Sequence, residues 1–469
     1  MKLEIFQFSK TLAALALTGC VLQPAYQRPS MPVGANYSIS DIDAPAIGAT
    51  RQVTDLGWKS FFHEPRLERI IGLALHNNRD LRVAALNVAQ VQAQYRIQRA
   101  GSLPVVNGTA DVQRSRSPVN MSMSDQTTSA SYSIGTGVSW ELDFFGRVRS
   151  ATDQALAQYF ATAEAHRASE IALVTQVADQ YLALRSHDEE IALTGQSLLT
   201  AEQSAQIAQV RFDGGTGTEL DLRQAQGVVE QHRADLASQT RSRAQSEHAL
   251  VLLVGTSLPT DLPTPMPFAQ AGMVADVVPG LPSDLLTRRP DIMQAEQQLR
   301  AANANIGVAR AAFFPSISLT GELAVKSPTL SGLFDGGQGA WSFAPRLTLP
   351  IFDGGRNVAN LEVAQLKCQI AIAQYEKAIQ TAFREVADGL TARGSYIEQI
   401  DKLQRYAALQ QRRLELSQLR YQRGIDSYLN VLTAQNALYA AQQSLISARL
   451  ARLSNLVNLY RALGGDWAV

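Results

Sequence analysis

The chain of 469 residues has little of what metal sites, disulfide scaffolds and membrane-spanning helices need. Its two cysteines, Cys20 and Cys368, are too few for a disulfide framework or a four-thiolate metal site. It contains no run of about 18 or more uncharged apolar residues, so no helix is predicted to cross a bilayer. Its 42 Lys and Arg residues balance 42 Asp and Glu residues, which argues against a general nucleic-acid binder.

Motifs for catalysis and for cofactor binding are also absent from the sequence. The six histidines are scattered and form no His-Glu-x-x-His pair. No glycine-rich phosphate loop joins a strand to a helix, and Cys368 lies among apolar residues, as a packed thiol does. We therefore expect no enzymatic activity, no metal and no cofactor.

The N-terminus has the pattern of a bacterial export signal. Lys2 and Lys10 precede a short apolar run at 12–17, which is too short to span a membrane. Leu17-Thr18-Gly19-Cys20 follows, and it looks like a lipobox, in which the cysteine takes a diacylglyceryl group and an N-acyl group. We predict a signal peptide at 1–19 and a lipidated segment at 20–57; the alternative is a plain secretory signal with a chance cysteine.

The rest of the chain contains two copies of one pattern. Matching residues recur 209 positions apart, from Gly146 and Gly355 to Gly255 and Gly464. Such a repeat predicts two similar structural units in sequence. The predicted segments are a first copy at 58–255, a proline-rich connector at 256–280, a second copy at 281–464 and a tail at 465–469.

Each copy is predicted to start with a helix, at 67–100 and 283–312, and to continue with two strands. Apolar and polar residues alternate within about 104–144 and about 316–352, so each strand has one apolar face. Length and alternation suit a tilted membrane strand, although a half-buried soluble strand has the same period. Four strands cannot close a barrel, and an open edge in lipid leaves amides unpaired. Any such barrel must therefore be shared between chains.

Very long helices follow the strands, at about 147–255 and 356–464. Unbroken stretches at 147–213 and 356–422 predict helices of roughly 100 Å at about 1.5 Å per residue. Apolar residues repeat every seventh position, as in coiled coils, and predict a return helix packed along each long one. Gly215 and Gly424 mark the hairpin tips, where glycine ends a helix in the left-handed conformation.

These features together resemble the TolC-like outer-membrane channels of tripartite efflux pumps, in the lipoprotein branch similar to OprM and NodT. The segments that carry the resemblance are 17–20, Pro24-Ala25-Tyr26-Gln27-Arg28-Pro29, 77–81, the junctions at 144–147 and 352–356, and 420–429. The resemblance implies a mainly α fold with transmembrane β-strands, duplicated as helix, two strands, long helix and return helix. It also implies a homotrimer whose twelve strands form one outer-membrane barrel, continued by an α-helical barrel in the periplasm.

The same resemblance implies transport rather than chemistry. The chain would be the exit duct for small molecules such as drugs, lipid-anchored in the outer membrane. Its implied partners are a periplasmic adaptor protein, an inner-membrane pump of the RND or ABC type and outer-membrane lipid, with no nucleic acid. Two alternatives stay open: a channel for protein secretion and a structural coiled-coil lipoprotein.

The resemblance also places a periplasmic aperture at the second tip. Asn430 and Thr433 stand where relatives often have acidic rings, so an acidic ring is not expected from them. Leu429 beside them would form an apolar constriction, which gates by excluding water, and Asp221 of the first copy would form an acidic ring instead. Relatives latch neighbouring helices through tip positions that correspond here to Asp221, Tyr421 and Asp426. The resemblance places adaptor docking at the tip residues Gly214, Gly215, Tyr421, Gly424 and Asp426. An ordinary solvated turn residue is the alternative for Asp426.

Overall fold

The structure is a computed structural model, and it describes residues 22–34, 57–116, 128–268 and 285–465. The predicted lipidation residue Cys20 lies outside the described residues. The chain divides into two compact units. The first comprises residues 1–30, 87–163 and 294–376, and the second comprises 31–86, 164–293 and 377–469. None of the described helices is both long enough and apolar enough to cross a membrane.

The described elements follow the same order in both halves of the chain. The first half contains α1 (Trp58–Phe61), α2 (Pro65–Asn77), α3 (Arg79–Ala100), β1 (Val105–Arg116), β2 (Thr128–Leu142), α4 (Arg147–Asp213) and α5 (Glu219–Val254). The second half contains α6 (Leu285–Arg288), α7 (Pro290–Ala311), β3 (Ser316–Ser327), a 3-10 turn (Ser331–Phe334), β4 (Gly339–Thr348), α8 (Arg356–Gln422) and α9 (Tyr428–Ala462). Both α4 and α8 have 67 residues and the predicted bounds.

The four strands form one antiparallel sheet in the first unit, in the order β1-β2-β3-β4. The register pairs Val138 with Val106 on one side and with Gly321 on the other. Because paired residues share a face, the register gathers the large apolar side chains on one side: Val106, Val112, Ile134, Val138, Trp140, Leu319, Leu323, Trp341, Phe343 and Leu347. Polar and charged residues such as Asp111, Glu322 and Arg346 share the other face. The apolar face is largely exposed in the single chain, where Trp341 is 79% accessible.

Two strands end earlier than the alternation predicts. The pattern runs to Phe144 and Ile351, but the strands stop at Leu142 and Thr348. At the first junction the Asp143 carboxylate accepts the backbone N–H groups of Val148 (2.9 Å) and Arg149 (2.7 Å), which caps α4. Asp353 accepts from Gly355 and Asn357 in the same way at the start of α8. Near the end of each alternating pattern, residues therefore cap the long helices instead of extending the strands.

The prediction of one unbroken helix at the start of each copy is wrong. Asn78 separates α2 from α3, and Arg289 separates α6 from α7. Pro290 explains the second break, because proline disfavours helical backbone in the residue before it. Asn78 has extended backbone (ψ 131°), and its side-chain oxygen accepts the Leu81 N–H at 2.8 Å. A capping asparagine thus starts a new helix where no proline signals one.

At each break, the side chain of the residue between the two helices bonds to the end of the return helix of the same copy. Asn78 Nδ2 donates to the Leu253 carbonyl at 2.8 Å, and Arg289 Nη1 donates to the Ala462 carbonyl at 3.0 Å. The helices end beside these contacts at Gly255 (φ 76°) and Gly464 (φ 99°), both left-handed. The sequence repeat therefore corresponds to the same helix-end contact made twice in the second unit.

The first unit contains an N-terminal strap, residues 22–28, that lies extended along α7. Three side chains spaced seven residues apart on α7 hold it. Arg310 donates to the Leu22 carbonyl, Asn303 to the Pro24 carbonyl, and Glu296 pairs with Arg28 at 2.7 Å. The seven-residue spacing places all three on one side of the helix, so the strap runs antiparallel to α7.

Replacement of Gly255 by alanine tests the helix-end contact. A Cβ there would lie 2.5 Å from the Asn77 carbonyl oxygen. The alanine would also have to adopt the left-handed backbone conformation of Gly255. We expect Gly255→Ala to lower the free energy of unfolding by about 1–3 kcal/mol. Gly227→Ala is the control, because its Cβ meets nothing within 4 Å inside α5, and it should stabilise by about 0.5–1 kcal/mol. Denaturant titration measures both, and equal effects would contradict the assignment.

Candidate functional site at the helical hairpin tips

The predicted site residues lie at two helical turns in the second unit, which are called tip 1 and tip 2. Tip 1 comprises the turn at 214–218 between α4 and α5 together with the helix ends beside it, and tip 2 comprises the turn at 423–427 between α8 and α9 together with the helix ends beside it. Gly215 (φ 70°) and Gly424 (φ 73°) are left-handed. The next N–H reaches back over the helix end in both, from Thr216 to the Arg211 carbonyl and from Ile425 to the Arg420 carbonyl, at 2.9 Å each. Both tips thus close with the same glycine-based cap.

Tip 1 is held by a capping pair. The Thr218 hydroxyl accepts the Asp221 N–H at 3.1 Å and donates to the Asp221 carboxylate at 2.8 Å. This arrangement satisfies a free N–H group at the start of α5 and places a negative charge in its first turn, where the helix dipole favours it. Asp221 is therefore engaged within its own turn.

Tip 2 is held by an ion pair instead. Asp426 occupies the position that corresponds to Gly217 in tip 1, and its carboxylate accepts from Arg420 Nε at 2.6 Å. Arg420, with a smaller contribution from the Asn430 side chain, holds the pKa of Asp426 below its usual value. Ser427 precedes α9 without a capping side-chain bond. Because the pair is exposed to solvent, it fixes the turn more than it stabilises the fold.

The two tips contact each other through aromatic and apolar groups. The Arg211 guanidinium of tip 1 lies 4.6 Å from the centre of the Tyr421 ring of tip 2, a cation–π contact of about 0.5–1 kcal/mol. The Tyr421 ring lies 5.4 Å from the ring of Tyr428, which is 2% exposed and whose pKa is raised by burial. Beneath them lies an apolar cluster of Ala208, Leu222, Ala225, Leu414, Tyr428, Val431, Ala434 and Leu438. The cluster packs α5 and α9 side by side.

The predicted aperture residues lie on the exposed side of the first turns of α9. Leu429 is 53% accessible, and Asn430 and Thr433 are also exposed. The Thr433 hydroxyl donates to the Leu429 carbonyl one turn back at 2.7 Å, so it is already used within the helix. These three side chains form one short surface that points away from the apolar cluster.

The outer membrane efflux protein family matches residues 70–256 and 281–465. The chain belongs to the outer membrane efflux protein family. The two matched ranges cover most of the chain, and an efflux protein of this family is a transport component rather than an enzyme. Among the described residues no group of three His, Cys, Asp or Glu side chains has the geometry of a metal site.

Two relatives are outer membrane proteins of efflux pumps. The chain is 45% identical over 466 residues to the antibiotic efflux pump outer membrane protein ArpC of Pseudomonas putida. It is equally identical to the toluene efflux pump outer membrane protein TtgC, also of Pseudomonas putida. Each alignment covers 98% of this chain and 96% of the relative. The open-state structure of the MtrE outer membrane channel of Neisseria gonorrhoeae has a TM-score of 0.86 at 39% identity, covering 95% of this chain and 98% of that one.

The structure brings some predicted tip residues together and separates others. Asp221 and Tyr421 both lie near Tyr428, whereas Asp426 pairs with Arg420 in its own turn. Gly215 and Gly424 are left-handed, and Gly214 lies at the end of α4, where its N–H donates to the Val210 carbonyl. A latch between neighbouring helices through Asp221, Tyr421 and Asp426 stays a prediction.

Four residues of the tips were missed as site residues: Arg211, Thr218, Arg420 and Tyr428. Two signals in the sequence point to some of them. Arg211 and Arg420 match each other in the repeat, and Thr218-x-x-Asp221 has the spacing of a capping box. Nothing in the sequence pairs Arg211 with Tyr421, because that contact joins separate hairpins.

Alanine substitution at the two tips tests the difference between their caps. Thr218→Ala removes the bond to Asp221 and should destabilise the first turn of α5 by about 0.5–2 kcal/mol. Ser427→Ala is the matched control at the equivalent position, and it should change the first turn of α9 little. Hydrogen exchange of residues 219–222 and 428–431 measures both effects. Equal loss of protection at the two tips would contradict this assignment.

Proposed function

We propose that the chain is the outer-membrane exit duct of a tripartite efflux pump, acting as a homotrimer with a periplasmic adaptor and an inner-membrane pump. One observation carries the proposal. A single chain combines an exposed apolar sheet face, suited to lipid, with two 67-residue helices. The named relatives are efflux-pump outer membrane proteins across almost their full length, which favours efflux over protein secretion or a purely structural role.

The trimer is proposed from the edges of the sheet. β1 and β4 are its outer strands, and each has a backbone edge that faces no strand of the described chain. An unpaired edge in lipid costs several kcal/mol for each amide, so only a closed barrel suits this environment. Three chains that pair β4 of one with β1 of the next would give twelve strands. The polar face with Asp111, Glu322 and Arg346 would then line the duct.

The proposed cargo is a class of small apolar or amphipathic molecules. ArpC is named for antibiotic efflux and TtgC for toluene efflux. A wide polar duct without a converging binding site suits such varied cargo. Selection among substrates would then belong to the inner-membrane pump.

A lipid anchor on Cys20 is part of the same proposal. Arg310 binds the Leu22 carbonyl, two residues beyond Cys20, and the strap continues along α7. An acyl group on Cys20 would therefore be tethered close to the end of α7 that precedes β3. The intact mass of the N-terminal peptide tests this part, since a triacylated cysteine adds a defined mass and a free thiol adds none.

The aperture is proposed to be an apolar constriction at Leu429, flanked by Asn430 and Thr433. Its exposure in one chain suits a position that faces other copies across a pore. We expect Leu429→Ala to raise the conductance of the closed channel in planar bilayers, because a smaller side chain admits water more easily. Leu220→Ala is the control, since that exposed leucine lies beside tip 1. Unchanged conductance for Leu429→Ala would contradict the aperture.

Rescue of toluene and antibiotic tolerance tests the main proposal. The chain, expressed in Pseudomonas putida that lacks its own exit channel, should restore growth. Val138→Arg should abolish both rescue and outer-membrane insertion, because arginine on a lipid face costs up to about 2–4 kcal/mol. Ser139→Arg, on the opposite face of β2, is the matched control and should retain insertion. Rescue by the Val138 variant, or none by the wild type, would overturn the proposal.

A further inference from the structure

The helix α5 has a polar row where a packed helix usually has an apolar one. Ala225, His232, Gln239 and Ser246 recur every seventh residue, the spacing of an interhelical seam. Ala225 belongs to the apolar cluster below the tips. Above it the seam changes to histidine, glutamine and serine. None of these residues takes part in the proposed aperture or in the sheet.

His232 and Tyr439 lie at the centre of this seam, where three helices of the second unit meet. His232 is 5% exposed, and its ring meets the Tyr439 ring of α9 edge-on at 4.8 Å. The Tyr439 hydroxyl bonds to the Thr194 hydroxyl of α4 at 2.8 Å, and Gln239 of α5 reaches it at 3.5 Å. We call these four residues the polar layer. It joins the first hairpin to the second.

The polar layer leaves two buried side-chain atoms without a hydrogen-bond partner among the described residues, a ring nitrogen of His232 and Gln239 Oε1. His232 Nδ1 is buried and has no hydrogen-bond partner among the described residues. The groups shown beside the ring are the Tyr439 ring of α9 and the Asp235 carboxylate on its own helix, and the α4 side chain that bonds to Tyr439 is the neutral Thr194. Arg233 beside it is already paired with Glu202 of α4 at 2.9 Å. A charge on His232 would therefore be buried beside the Tyr439 ring, with the Asp235 carboxylate as the charge that offsets it.

Burial therefore decides the sign of the pH effect. Burial lowers the pKa of His232 from its ordinary value of 6.5, and Asp235 opposes the shift only in part. An opened layer would return the ring to water and to its ordinary pKa. The packed layer is thus fully stable above about pH 6.5 and loses stability as the pH falls below it, because the opened state binds the proton more tightly.

We propose that the polar layer is a pH-sensitive clasp that holds the two hairpins together at neutral pH and loosens when His232 takes a proton. Its consequence for gating rests on the proposed function, but the clasp itself does not. Since α5 and α9 also carry the two tips, loosening the clasp would make the tips easier to part. Mild acid would thereby favour the open duct.

Distance measurements between the hairpins test the clasp. Spin labels on the exposed Ala234 of α5 and Ala440 of α9, in a Cys368→Ala background, report their separation in the purified protein. The wild type should gain a longer-distance population between pH 7.5 and pH 5.5. For one histidine this population grows by at most about tenfold per pH unit. Single-label variants identify any signal from other sites.

Three variants separate the clasp from a general effect of acid. His232→Gln keeps a polar side chain without titrating, and it should show the same distances at both pH values. His248→Gln replaces an exposed histidine of the same helix and should respond as the wild type does. His232→Lys should populate the longer distance even at pH 7.5. A pH response that survives in His232→Gln, or no response in the wild type, would overturn the clasp.

The distance measurements and the tolerance assay together separate the clasp from the proposed function. If the distances respond to pH but tolerance is not rescued, the clasp stands and the exit-duct proposal fails. If tolerance is rescued and the distances do not respond, the clasp fails alone. When both hold, the opening frequency of the wild type at pH 5.5 should exceed that of His232→Gln.

Discussion

A helix of 67 residues is stable in water only where a neighbour covers its apolar stripe, and most of this chain answers that requirement. Both long helices turn back at a tight glycine cap, and each return helix supplies part of the cover. The α5 and α9 helices then pack on each other through the apolar cluster below the tips. Where each return helix ends, a left-handed glycine meets a break in the first helix of its copy. Contacts at both ends therefore fix how each hairpin lies.

The sheet has a different requirement, because no part of the described chain covers its apolar face. Its apolar face is exposed, and the outer edges of β1 and β4 pair with no strand of the described residues. Water would solvate the edges but not the aromatic face, and lipid would cover the face but not the edges. Pairing the edges between copies satisfies both conditions. The sheet thus gives a physical reason for an oligomer that the helices alone do not require.

The long helices and the strands could be predicted because their signals are local and repeated. The lack of proline and the glycines at 215 and 424 set the helix bounds, and strict alternation identified the strands. The cap at Asn78 was harder to predict, because the helical pattern of 67–100 runs through it. The contact between Arg211 and Tyr421 was beyond local reasoning, because it depends on which face of each tip meets the other. Arg420 lies six residues before Asp426 and was a local signal for this ion pair. The family resemblance assigned Asp426 to a latch and to adaptor docking instead.

The position of a titratable group decides whether it can act as a switch. The Arg420–Asp426 pair lies at the tip itself, but Arg420 lowers the pKa of Asp426 below its ordinary 3.8. The turn keeps this pair above that pH and loses it only in stronger acid, so it stays intact between about pH 5 and pH 8. His232 differs because its ordinary pKa falls within that range and burial places its charged form at a disadvantage. The exposed ion pair at the tip therefore stabilises its turn at neutral pH and in mild acid alike. The buried His232 between the hairpins is a group whose protonation in mild acid would change the packing.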